Sequence, residues 1–178
     1  MPSLSPHKGR DDHEYQSHRT GRICNRARRR ARARGALFTY FHTHPELSFR
    51  ETDTSKTLAK EIRAYGFNVT EGVGGTGVVA VMKNGEGPTV LLRADMDGLP
   101  LKEDSGLAYS STVTQVDIDG VEKPVMHACG HDVHITSLVG AAKQLAARKD
   151  EWAGTLILIG QPAEERIGGA HAMLEDGL

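Results

Sequence analysis

Cysteine is scarce in this chain: Cys24 and Cys129 are the only two in 178 residues, far apart and in unlike surroundings. Two such thiols build no disulfide framework, so a reducing compartment is the simpler expectation. There is no run of eighteen apolar residues to span a membrane as a helix, and no apolar h-region of the kind a secretory signal needs. Internal repeats are missing as well. What is present, 38% hydrophobic and 25% charged residues, suits a soluble globular chain, expected to be cytoplasmic. The length fits one domain with an extension.

The net charge of −1 conceals an uneven distribution. Residues 1–36 hold ten Lys/Arg against three Asp/Glu, a balance of +7, which leaves −8 for the remainder. Arg22, Arg26, Arg28, Arg29, Arg30, Arg32 and Arg34 crowd together with few apolar neighbours, too few to offset chain entropy by burial. Residues 1–36 are therefore expected to be a disordered basic extension. Clustered arginines can bind phosphates, so a nucleic-acid or anionic-surface arm is one reading. An organelle transit peptide is another, favoured by the acid-free stretch 15–40 and opposed by Asp11, Asp12 and Glu14. The plainest is an extension without function, with nucleic acid an unlikely partner.

From residue 37 the pattern becomes an alternation of helices and strands. A short helix is expected to end before Pro45, because the residue preceding proline disfavours helical geometry. Asp53 or Thr54 is expected to cap a helix that runs to about Tyr65, with Leu58 and Ile62 on one face and Gly66 as its stop. Phe67–Thr70, Gly77–Met82 and Thr89–Arg93 read as extended segments, and Asn84-Gly85-Glu86-Gly87 between the last two reads as a hairpin turn. A helix is expected over Ile135–Ala147, a strand buried on both faces within 152–160, and a further helix from about Gly169.

The chemistry-bearing residues gather at the ends of these elements. Cys129 and His131, spaced i and i+2, project to one side if the segment is extended, and could reach one metal or two neighbouring ones. Glu164 and Glu165 follow an apolar strand and Pro162, at a strand's carboxyl end, where open α/β sheets place ligands. Adjacent carboxylates diverge, so one can bind metal while its neighbour faces the attacking water, a division that hydrolysis requires. Asp95 and Asp97 end another strand, and either could hold a ligand histidine in its correct tautomer. Two other readings compete. Cys129 could be a nucleophile activated by His131 or His134. The chain could also be a non-catalytic remnant led by its basic arm.

Four motifs, His42-Thr43-His44-Pro45-Glu46-Leu47-Ser48, RADMDGLP at 93–100, MHACGHD at 126–132 and QPAEE at 161–165, resemble those of the metal-dependent amidohydrolases of the aminoacylase and carboxypeptidase superfamily. The branch they most resemble is that of hippurate hydrolases, N-acyl-amino-acid amidohydrolases and auxin-conjugate hydrolases. The resemblance implies an α/β fold, a mixed sheet flanked by helices of the dinuclear metallopeptidase kind, over 37–178. It implies hydrolysis of the amide bond of N-acyl amino acids or related conjugates with two divalent ions, zinc or manganese. Cys129, His131 and Glu165 then match metal ligands, Glu164 the general base, and Asp97 the aspartate that supports the centre. Family members are considerably longer, with a lid or dimerisation domain and two further histidine ligands that have no counterpart here; His171 is no convincing substitute. The chain is accordingly expected to be an amino-terminal part, lacking the lid and at best weakly active, and to form a homo-oligomer only where that missing domain is present.

Overall fold

The computed structural model describes residues 35–178. The expectations for the basic arm and for Cys24 fall outside these residues, save for 35 and 36, which open helix α1 (35–43). There follow α2 (Thr52–Arg63), β1 (Asn68–Val73), β2 (Gly77–Asn84), β3 (Thr89–Asp95), β4 (Thr114–Val116), β5 (Glu122–Pro124), α3 (His131–Ala146), β6 (Gly154–Gln161) and α4 (Gly169–Glu175). The main sheet has the order β1-β2-β6-β3, and β4 and β5 form a separate antiparallel pair. Among the described residues no helix is long and apolar enough to cross a membrane.

The sheet is mixed because β6 runs antiparallel to β2 and parallel to β3. That arrangement overturns the expected hairpin at Asn84–Gly87. Turn chemistry there is favourable, but β2 and β3 are not neighbours, since β6 lies between them. The real hairpin is one connection earlier, where β1 and β2 pair from Asn68↔Val81 to Val73↔Gly77.

Alternation along the strands sends Leu156, Leu158 and Gly160 of β6 to one face, against α2 and α3. Leu58 and Ile62 of α2, and Ile135, Leu138 and Ala142 of α3, complete this core. Leu58, Ile135 and Leu158 are fully buried, each a gain of about 1.5–3 kcal/mol over an exposed side chain. The expected burial of β6 on both faces is only partly met, because Thr155 and Ile157 on the other side stay half-buried.

Two helix starts differ from expectation. α2 has Glu51 at its N-cap, with no side-chain cap of its own. Its free N–H groups are satisfied from outside, by a Glu46 carboxylate that accepts from Asp53 N (2.9 Å) and Thr54 N (2.7 Å). α3 starts at His131, four residues before the apolar periodicity, directly after Gly130 in the left-handed conformation (φ 76°). His131 and Asp132 in its first turn are buried, so they belong to the interior despite their polarity.

Parallel pairing puts the carboxyl ends of β3 and β6 side by side, with Asp95 opposite Gln161 and Met96 N donating to Gln161 O at 2.9 Å. The N-terminus of α3 comes to the same edge through the His131 ring, which reaches the segment following β3.

Candidate metal centre

Asp97, just beyond β3, is the hub of this edge. Its carboxylate is 1% exposed and accepts from the Ser48 hydroxyl (2.6 Å), Glu164 N (3.1 Å) and Glu165 N (3.0 Å). His131 Nδ1 lies 3.5 Å from Asp97 Oδ1 and donates to the Asp97 carbonyl oxygen at 2.8 Å. Burial disfavours the Asp97 charge, yet these donors outweigh it and hold its carboxyl below the ordinary carboxylate value. The same contacts overcome the burial of His131 and raise its imidazole to about 9.

With Nδ1 committed to Asp97, His131 turns Nε2 towards Glu164 (Oε2 at 3.8 Å) and Glu165 (Oε1 at 3.9 Å). One ligand atom from each of these three residues lies within 4.8 Å of the others. Asp95, His131 and His134 form a second such set, with His134 Nδ1 3.6 Å from Asp95 Oδ2; there Asp95 is also paired with Arg93.

Glu164 and Glu165 sit on a tight turn. Ala163 (φ 46°) and Ile167 (φ 55°) are left-handed without being glycine, a conformation that costs about 1–3 kcal/mol where the surroundings impose it. Part of that imposition comes from Glu51, fully buried, whose carboxylate accepts Ala163 N at 2.8 Å and the Thr76 hydroxyl. Burial pushes the Glu51 carboxyl up, with the hydrogen bonds only partly offsetting it.

Cys129 is exposed, in the turn before Gly130. It does not share an extended face with His131, because Gly130 reverses the chain and His131 is already helical. Nor is it in either of the two three-donor sets. The Glu165 carboxylate beside it, burial and the other nearby carboxylates push its thiol up, which opposes the thiolate that a cysteine nucleophile needs.

Three polar atoms bear on whether the site suits a metal. Glu165 Oε1 and both ring nitrogens of His127 are buried with no hydrogen-bond partner. A buried carboxylate oxygen without a donor costs about 1–3 kcal/mol or more, and a divalent ion beside it would remove that cost. Imidazole and carboxylate donors converging at this spacing fit such an ion. His127 is neutral for a different reason: burial, with the charges of His131 and His42 and against the pull of Asp132, lowers it to about 4.

Four residues in this neighbourhood have roles that the sequence did not reveal. Ser48 and His42 lie inside the HTHPELS segment, but nothing in their spacing gave a partner; Glu51 and Glu103 carried no signal. His42 is buried and bridges two carboxylates, Nδ1 to Asp132 Oδ2 at 2.7 Å and Nε2 to Glu103 Oε1 at 3.1 Å. It thereby joins α1, the 101–113 loop and the first turn of α3. Burial lowers its affinity for a proton, but the two carboxylates outweigh burial and raise it above the ordinary 6.5. A raised folded-state value means the stabilisation is complete below about pH 6.5 and disappears as pH rises through the folded value. The melting temperature of the metal-free chain is thus expected to fall as pH is raised from 6.5, and a His42→Gln variant, less stable at pH 6, should show a shallower fall. Parallel pH curves for the two proteins would contradict this assignment.

Comparison with known proteins identifies the arrangement. Residues 91–178 match the model of peptidase family M20/M25/M40. The match takes in the whole candidate centre from Asp95 to Glu165. Hippurate hydrolase of Campylobacter jejuni is 49% identical over 138 residues, covering 77% of this chain and 33% of the relative. IAA-amino acid hydrolase ILR1-like 2 of Arabidopsis thaliana is 42% identical over 136 residues, covering 76% and 29%. Among solved structures, the Bacillus subtilis YXEP protein, described as a dinuclear metal binding peptidase from the M20 family, superposes with a TM-score of 0.72 at 36% identity, covering 82% of this chain and 38% of that one. The chain thus spans about a third of the length of the curated relatives it matches. Its sheet and flanking helices are those of an M20 catalytic domain.

Proposed function

We infer that the chain carries the amino-terminal share of a metal-dependent hydrolytic centre that cleaves the amide bond of N-acyl amino acids or related conjugates. The observation that supports this reading most is the convergence of His131, Glu164 and Glu165 around an unpartnered buried Glu165 oxygen, all three fixed by one buried aspartate. The names of relatives, hippurate hydrolase and IAA-amino acid hydrolase, favour an acyl amino acid as the substrate class.

Glu165 and His131 are the proposed ligands, joined by Cys129, whose thiol must lose its proton to bind. Two divalent ions, zinc or manganese, suit the donor set. Bound there, a divalent metal would supply Lewis acidity and lower the pKa of water towards about 7. Glu164, with its side chain 44% exposed, is the more accessible of the two glutamates and is free to move protons. It accepts a proton from the attacking water and delivers it to the amine nitrogen as the C–N bond breaks, leaving a carboxylic acid and a free amine. Asp97 touches no reacting atom in this scheme. It holds His131 in the tautomer that presents Nε2 and fixes the backbone of both glutamates.

The test separates binding from chemistry. Calorimetric titration of the metal-free chain with zinc or manganese is expected to give uptake that Glu165→Gln weakens about 10- to 100-fold. Glu164→Gln is expected to keep that uptake while lowering hydrolysis of an N-acyl amino acid by about 10² to 10⁴. A chain that takes up neither ion, or a Glu164→Gln variant that hydrolyses at the unsubstituted rate, would falsify the reading.

A further inference from the structure

Helix α3 begins without a capping side chain, because its N-cap is Gly130. Its first turn is fixed instead by two buried neighbours that engage different parts of the chain. His131 Nδ1 reaches the Asp97 carbonyl oxygen at 2.8 Å, and Asp132 Oδ2 meets His42 Nδ1 at 2.7 Å. A single tether would leave the turn free to swing about it. Two define where Cys129, just before the turn, and His131, within it, stand.

The other nitrogen of His42 belongs to the 101–113 loop, which carries no helix or strand. Leu101 and Leu107 of this loop are about half exposed, whereas Glu103 and Ser111 are buried. Glu103 draws the loop around its carboxylate: Oε2 accepts Ser111 N at 2.6 Å, and Oε1 accepts the Ser105 hydroxyl and meets His42 Nε2 at 3.1 Å. Phe38 of α1 and Tyr109 of the loop flank the imidazole, with ring centroids 5.4 and 5.3 Å away. The ring is thus held at both nitrogens and on two sides. Among the described residues, neither three-donor set includes one from this loop.

We propose that His42 is a positioning residue for the metal centre, through which the 101–113 loop governs how tightly Cys129 and His131 hold an ion. The proposal rests on the metal-dependent reading for what is held. Without the Glu103 charge, His42 faces one carboxylate in place of two and is free to turn. Asp132 then loses its fixed partner, and the first turn of α3 keeps only the tether at His131. Coupling of this kind is reciprocal: an ion that fixes Cys129 and His131 must tighten the loop in return.

The experiment compares the 178-residue chain with its Glu103→Gln and Ser105→Ala variants, by calorimetric zinc titration and by amide hydrogen exchange with and without zinc. Glu103→Gln keeps the shape of the side chain and removes its charge, and is expected to weaken zinc uptake about fivefold or more. In the metal-free chain it is expected to speed exchange of the Val133 and His134 N–H groups, which close the first turn of α3 on Gly130 O. Ser105→Ala, which loses a bond to the same carboxylate without touching His42, is expected to change neither. In the unsubstituted chain zinc is expected to slow exchange of Ser111 N–H, the loop amide bound to Glu103. Undiminished zinc affinity in Glu103→Gln, an equal loss in Ser105→Ala, or Ser111 exchange indifferent to bound zinc would overturn the proposal. Should Glu103→Gln misfold, Ser111 exchange in the unsubstituted chain decides by itself. A chain that takes up no zinc overturns the metal-dependent reading, and the metal-free exchange then decides the role of His42: faster at Val133 and His134 in Glu103→Gln supports it, unchanged overturns it.

Discussion

Asp97→Ala is expected to destabilise the chain by about 3–5 kcal/mol and to weaken its zinc uptake about 10- to 100-fold. One substitution removes the acceptor for the Ser48 hydroxyl and for the N–H groups of Glu164 and Glu165, and strips His131 of its carboxylate neighbour. Each donor would then be left in a buried site without a partner, and the turn bearing both glutamates would lose what fixes it. Asp97→Asn keeps the shape but offers one acceptor oxygen in place of two, so an intermediate loss is expected. Urea unfolding midpoints and calorimetric zinc titrations of the three proteins check both effects. A midpoint within error of the unsubstituted chain would remove Asp97 from its place as hub.

Gly169→Ala is expected to be worse, costing more than about 4–5 kcal/mol, which for a chain of this size amounts to failure to fold. The reason is close approach. A Cβ at position 169 would lie 1.6 Å from Pro162 O and 2.5 Å from Pro162 C, both backbone atoms with nowhere to go. Gly106 is the useful control, because it has a positive φ of 70° and nothing within 4 Å of a Cβ. Gly106→Ala is expected to cost only the local conformational penalty of about 1–2 kcal/mol. Soluble yield and thermal melting of the two variants distinguish a contact effect from a conformational one. Equal behaviour would show that the start of α4 can move away from the QPAEE turn.

Both effects bear on how far the sequence could be read. Segments with strong apolar periodicity were legible: α2 with Leu58 and Ile62, β6 with its Leu156–Ile159 run, and the body of α3. Chemical identity carried the site further than periodicity did. Asp97, His131, Glu164 and Glu165 were singled out by residue type and position at element ends, and the fold brings all four together. What failed were inferences confined to a few consecutive residues. Asn84–Gly87 has good hairpin chemistry, but no local signal reveals that a strand some seventy residues later takes the place beside β2. The start of α3 was missed because His131 and Asp132 look like solvent-facing residues, and only partners supplied by other segments, Asp97 and His42, account for their burial. Glu51 and Glu103 were invisible for the same reason: a buried carboxylate is defined by the donors it meets, and those come from distant parts of the chain.

The central place of β6 also governs the order in which this sheet can be assembled on the ribosome. β2 and β3 are complete by Asp95, but the strand that separates them does not begin until Gly154. At about 5–20 residues per second, the intervening residues and β6 itself take roughly 3–13 s to be synthesised. Through that interval the apolar edges of β2 and β3 face outward with unpaired N–H and C=O groups, a template for association with other nascent chains. Slow translation or high expression lengthens the exposure or multiplies the encounters, so a chaperone that shields strand edges would raise the folded yield more than one that acts after release.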